Sequence, residues 1–196
     1  TVKLANGIVD VGVHGVLGRN GEDFQFADGT PVKFWGIGGL MAETEQRQLL
    51  RARFWAKHGI NMVRQHTVED VLGSLQGPLG ARYFDAGKLD KLDKWFAILK
   101  EHGIYMTWSI FYHFVALPDQ VSSQGGNIPD ELYAELPDRG AGKDVYGLVC
   151  LVEEYQDAEW EYANLLLNHV NPYTGLAYKD DPALAVVECR NEDSIF

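Results

Sequence analysis

The sequence His58-Gly59-Ile60-Asn61-Met62 returns 44 positions later as His102-Gly103-Ile104-Tyr105-Met106, and each copy closes a helix-spaced segment and opens a short apolar one. Glycine directly after the last periodic residue is a helix stop. The segment before the first copy, 43–58, carries Leu49, Leu50, Phe54 and Trp55 at helical spacing. The segment before the second carries Leu89, Leu92, Phe96 and Leu99, a spacing of i, i+3, i+7, i+10 that marks one apolar face. The apolar runs that follow, 60–66 and 104–113, read as buried strands. A third helix is predicted over 153–170 and a fourth strand over 183–192, where the run from Ala183 to Val187 is continuously apolar. Strands that alternate with helices build a parallel sheet.

Ahead of this series, Asp28-Gly29 sits between two alternating runs, which predicts an N-terminal hairpin with strands near 24–27 and 31–37. The stretch 115–148 is rich in Gly, Pro, Asp and Ser and reads as one long connection after the third strand, of the kind that usually serves function. The whole of 1–196 is read as a single domain. The chain begins with Thr1 and stops at Phe196 just after its fourth strand, which reads as part of something longer.

Repeated strand-helix units close in two common ways, as an open doubly wound sheet or as an eight-stranded (β/α)8 barrel. The open alternative expects Gly-x-Gly-x-x-Gly at the first turn, and Gly36-Ile37-Gly38-Gly39 lacks that spacing. Polar and aromatic residues instead gather where strands end: Trp35, then Arg64 and His66, then Tyr112 and His113, then Asn191 and Glu192. In a barrel that rim carries the chemistry. Lys and Arg number 17 against 28 Asp and Glu, a net charge of −11, with no basic run. Nucleic acid and anionic membranes are therefore excluded as partners, and no apolar run is long enough to span a bilayer. Cys150 and Cys189 match no metal spacing and are expected to be buried free thiols. Acidic residues on the helices, such as Asp90, Asp93, Glu159 and Glu161, read as solvated faces.

Charged groups within an apolar strand are costly unless paired or used. In Val186-Val187-Glu188-Cys189-Arg190-Asn191-Glu192-Asp193, strand alternation puts Glu188, Arg190 and Glu192 on one face and Cys189, Asn191 and Asp193 on the other. A purely structural reading pairs Glu188 and Arg190 with neighbours and leaves Asn191 to Asp193 as a solvated strand exit. Trp108 has apolar partners of the same parity, Met106 and Ile110, and reads as core. No His-x-x-x-His helix or other metal spacing is present, and Gly73-Ser74-Leu75-Gln76-Gly77 is not a nucleophile elbow.

Asn191-Glu192 at the end of a fourth strand, with Arg64 ending the second and His113 the third, resembles the clan A glycoside hydrolases, nearest the cellulase- and mannanase-like enzymes of family five. The hairpin leading into Phe34-Trp35-Gly36-Ile37 is similar to the start of such barrels. The resemblance runs over about 24–196 and implies a (β/α)8 TIM barrel of which only the first four βα units are present, after an N-terminal β-hairpin. It further implies a retaining hydrolase of β-linked polysaccharide or oligosaccharide, with Glu192 as general acid/base and Asn191 contacting the sugar. Arg64, His66, His113, Tyr112 and Trp35 complete the expected substrate-binding rim. A carbohydrate is the implied partner, no cofactor or metal is required, and an extracellular or periplasmic setting follows from the resemblance alone. Retention needs a second carboxylate about 5 to 5.5 Å from the first. Glu188, four strand residues away, would lie roughly 13 Å off; the family's nucleophile lies on the seventh strand, beyond the end of this chain. The competing readings are a non-catalytic carbohydrate-binding module and a self-associating half-barrel.

Overall fold

The computed structural model describes residues 11–39, 41–66, 68, 84–111, 115–126, 128–140 and 142–192. Its centre is a four-stranded parallel sheet of β3 (Gly36–Gly38), β4 (Met62–Gln65), β5 (Tyr105–Phe111) and β9 (Leu184–Arg190), adjacent in that order. Helix α1 (Glu45–Lys57) connects β3 to β4, α2 (Ala86–Glu101) precedes β5, and α4 (Glu153–Asn168) precedes β9.

The repeated His-Gly-Ile sequence is one device used twice. Nδ1–H of His58 donates to the Phe54 carbonyl at 2.7 Å, and that of His102 to the Ile98 carbonyl at 2.7 Å, so each side chain takes up a carbonyl near its own helix end. Gly59 (φ +80°) and Gly103 (φ +75°) then turn the chain through the left-handed region that glycine adopts without strain. The following Ile60 and Ile104 return their amides to Trp55 and Leu99 and bury their side chains. The starts are equally local: Thr44 caps α1 by accepting from the Arg47 amide at 3.3 Å, and Asp85 caps α2 by accepting from Lys88 at 2.8 Å.

Trp55 and Trp95 meet edge to face and join α1 to α2. Phe96, Trp108 and Tyr178 form a second aromatic contact between α2 and the sheet, so Trp108 is core as predicted. The inward stripe of α1 differs from the expected one. It consists of Gln48, Ala52, Trp55 and Ala56, while Leu50 and Phe54 are more than half exposed. Small residues at 52 and 56 let α1 lie close to its neighbours, a constraint that hydrophobic spacing does not report.

The N-terminal hairpin is shifted one turn earlier than predicted. Its ladder joins β1 (Leu17–Asn20) to β2 (Asp23–Phe26) around Gly21. Asp28-Gly29 does turn the chain, with Phe26 donating to Thr30 at 2.9 Å, but only a single bridge, Gln25 to Pro31, extends that pairing. Residues 33–35 pair instead with buried Asn61, whose amide donates to the Lys33 carbonyl and accepts from the Trp35 N–H. Phe26 stacks on Tyr105, the first residue of β5, and Phe34 meets the same ring edge to face, which places the hairpin over the N-terminal end of the sheet.

The connection expected as one long loop contains its own elements: β6 (Val115–Ala116), α3 (Asp130–Glu135), β7 (Asp138–Arg139) and β8 (Gly142–Asp144). The strands form a small antiparallel sheet in the order β6-β8-β7. Ala116, Ile128 and Val145 anchor it in the core.

Two of the helix acids and both thiols correct the sequence reading. Asp93 is 2% exposed and accepts from His169 at 2.9 Å and from the Tyr178 hydroxyl. Glu159 pairs with Arg190. Cys150 and Cys189 are exposed free thiols rather than buried ones, because Cys150 lies in a turn and Cys189 on the last strand in the sheet order.

Candidate active site

Gly38, Arg64 and Thr107 stand side by side in the sheet, followed along β5 and β9 by the pair Ser109 and Glu188. Parallel strands thus carry Arg64 and Glu188 onto the same face near their C-terminal ends. Nη2 of Arg64 donates to the Glu188 carboxylate and, at 2.7 Å, to Oδ1 of Asn191. Both partners of the ion pair are half-buried. Burial pushes the Glu188 carboxyl up; the Arg64 hydrogen bond, then Ser109 and the charges of Arg64 and His66, overcome it and hold the group below its ordinary range.

Asn191 lies three positions beyond Glu188, so uninterrupted alternation would put them on opposite faces. The strand stops first. β9 ends at Arg190, the Asn191 N–H adds one more bond to the Phe111 carbonyl at 2.9 Å, and Glu192 takes a left-handed φ of +53°. Past the end of the strand Asn191 reaches Arg64, and Glu192 is exposed beside the cluster. The Glu192 carbonyl accepts from the hydroxyl of Tyr146, which belongs to the connection after β5. Arg190 does not pair with Glu188, its neighbour of like parity; its charge is met by Glu159 on α4.

Arg64, Asn191 and Glu192 are therefore brought together, and half-buried His66 lies two residues beyond Arg64. Trp35 is not brought to them. It precedes β3, is 73% exposed, and lies roughly 10 Å along the strand from Gly38, the partner of Arg64. The late start of β3, beyond the residues held by Asn61, leaves Trp35 at the opposite end. Tyr112 and His113 lie outside the described residues. Tyr146 was not found from sequence, since it sits in a polar, aperiodic stretch with no signal of its partner. Among the described residues no group of three His, Cys, Asp or Glu side chains is placed to hold a metal ion, and no helix is long and apolar enough to cross a membrane.

No family model matches the sequence, and no curated protein matches it. Solved structures do match. An endo-1,4-β-mannanase from Rhizomucor miehei superposes with a TM-score of 0.63 at 20% identity, over 91% of this chain and 48% of that one. A glycoside hydrolase family 5 mannosidase from the same organism gives 0.60 at 13% identity, over 91% and 49%. An endo-β-1,4-mannanase from Thermotoga petrophila gives 0.54 at 17% identity, over 82% and 35%. The chain shares the fold of about half of each Rhizomucor structure, both of them glycoside hydrolase barrels. It spans about half the length of the two Rhizomucor barrels. The Arg64 cluster lies at the C-terminal ends of the parallel strands, the end at which TIM barrels carry out chemistry.

Proposed function

We propose that this chain supplies one half of the active site of a retaining β-glycoside hydrolase, acting on a β-linked mannan or a related polysaccharide. Glu192 is the general acid/base. The observation that supports the reading is the cluster in which Arg64 holds Glu188 and Asn191 at the C-terminal end of the sheet, with Glu192 next in the chain. Because Oδ1 of Asn191 accepts from Arg64, the amide NH2 is the group it presents to a sugar hydroxyl.

In such a reaction the protonated Glu192 gives its proton to the leaving glycosidic oxygen as a second carboxylate attacks the anomeric carbon. Glu192, now ionised, then takes a proton from the water that releases the sugar. Glu188 is not the second carboxylate: it is committed to Arg64 and lies too far along the strand. The nucleophile is assigned to a strand outside these 196 residues. The choice of mannan rests on the mannanases and the mannosidase whose fold the chain shares.

The test is reducing-sugar release from β-mannan, β-glucan and xylan by the full-length polypeptide, with and without Glu192→Gln. The substitution is expected to lower turnover about 10²- to 10⁴-fold while sugar binding persists. Undiminished turnover sinks the assignment of Glu192. Binding without turnover in the unsubstituted protein moves the reading to a carbohydrate-binding module.

A further inference from the structure

Among the described residues Glu192 is the one non-glycine residue with a left-handed backbone, at φ +53°. An L-residue there crowds its own Cβ against the following carbonyl, so the conformation persists only where the surroundings hold it. On the N-terminal side the sheet does the holding, through the Asn191 amide on Phe111 at 2.9 Å and the Asn191 side chain on Arg64. On the C-terminal side the carbonyl of Glu192 itself accepts from the Tyr146 hydroxyl.

Tyr146 is placed by a separate structure. Its N–H donates to Oδ1 of Asp144 at 2.9 Å, while Oδ2 of Asp144 accepts from Arg139 at 2.8 Å across the small sheet. The neighbouring Val145 is fully buried and Val149 nearly so. The hydroxyl therefore comes to Glu192 from a fixed platform formed by the connection after β5.

We propose that Tyr146 is a positioning residue whose hydroxyl clamps the Glu192 turn and so sets the direction in which the Glu192 side chain leaves the backbone. The catalytic part of this proposal rests on Glu192 being the proton donor; the clamp does not. A donor must sit within hydrogen-bond reach of the glycosidic oxygen, and a turn free to relax to ordinary φ would swing it away.

Tyr146→Phe keeps the ring and removes the O–H. In the 196-residue chain, amide exchange followed by NMR at Asn191 is expected to quicken about five- to tenfold, the effect of one lost hydrogen bond. Exchange at Ile110, inside β5, stays unchanged and reports an intact fold. Unaltered exchange at Asn191 overturns the clamp. In the full-length polypeptide the same substitution is expected to lower kcat about tenfold with KM held within about twofold. An unchanged kcat, or a loss carried by KM, overturns the positioning role. If the unsubstituted full-length protein releases no sugar, the reading of Glu192 fails, and the exchange at Asn191 still decides the clamp.

Discussion

A single nitrogen of Arg64 serves two acceptors, one on β9 and one just past its end, although β5 lies between β4 and β9 in the sheet. The arrangement fixes the end of β9 and holds the Glu188 carboxyl below its ordinary range. Because Arg64 and Glu188 are about a third or more exposed, solvent screening reduces what the pair contributes. Arg64→Met is expected to destabilise by about 1 kcal/mol in urea unfolding. The sign of the pH effect follows from the direction of the shift. The folded-state value of Glu188 lies below the ordinary 4.5, so its stabilisation is complete above 4.5 and is lost as pH falls through the lower folded value. The fall in urea midpoint from about pH 6 to about pH 3 should thus be shallower in Arg64→Met than in the parent. Equal slopes would mean that the pair is not coupled to folding. At this scale the sequence discloses residues whose chemistry is conspicuous where they stand: Arg64, Asn191 and Glu192 close apolar strands. It does not disclose Asp93 or Tyr146, because their roles depend on partners 76 and 46 residues away.

The helix endings are the elements most fully determined by local sequence. Histidine, glycine and isoleucine each have a separate task within five residues, so the repeated motif could be read before any tertiary contact was known. Gly59 isolates one of those tasks. A Cβ built there meets nothing within 4 Å, so the cost of Gly59→Ala is conformational alone, about 1 kcal/mol for an L-residue at positive φ. Gly39 is the contrast, since its φ is ordinary and a Cβ would come within 2.5 Å of the Trp55 ring. Gly39→Ala must displace a tryptophan that packs α1 on α2, and is expected to cost about 2 kcal/mol or more. Urea unfolding of the two variants checks the order, and a larger loss at Gly59 than at Gly39 would refute this account. The hairpin was less readable for a related reason. Asp28-Gly29 gives a correct turn signal, but the segment that leaves it is taken up by Asn61, far along the chain. A turn is a local property; the strand that leaves it is not.

At the scale of the molecule, the four parallel strands among the described residues form an open sheet with two edges. In an eight-stranded barrel neither edge exists, since closure pairs every strand. Here β3, at one edge, is exposed along its length, and on β9, at the other, Val186 and Val187 are each more than a third exposed. Trp160, on the helix that leads into β9, is 70% exposed. Open backbone beside apolar side chains is a template for pairing with another chain. The net charge of −11 acts against such pairing through repulsion between copies. Salt screens that repulsion within a Debye length of about 10 Å at 0.1 M, whereas it leaves apolar burial in place. The 196-residue chain by itself is therefore expected to associate as concentration rises, and more strongly in added salt. Sedimentation velocity measures both trends, and a monomer at every concentration and salt level would rule the mechanism out. Val186→Lys and Val187→Lys place a charge on the β9 edge and should weaken the association. A polypeptide that supplies further strands in cis would cover the same edges, so its sedimentation should be independent of both concentration and salt.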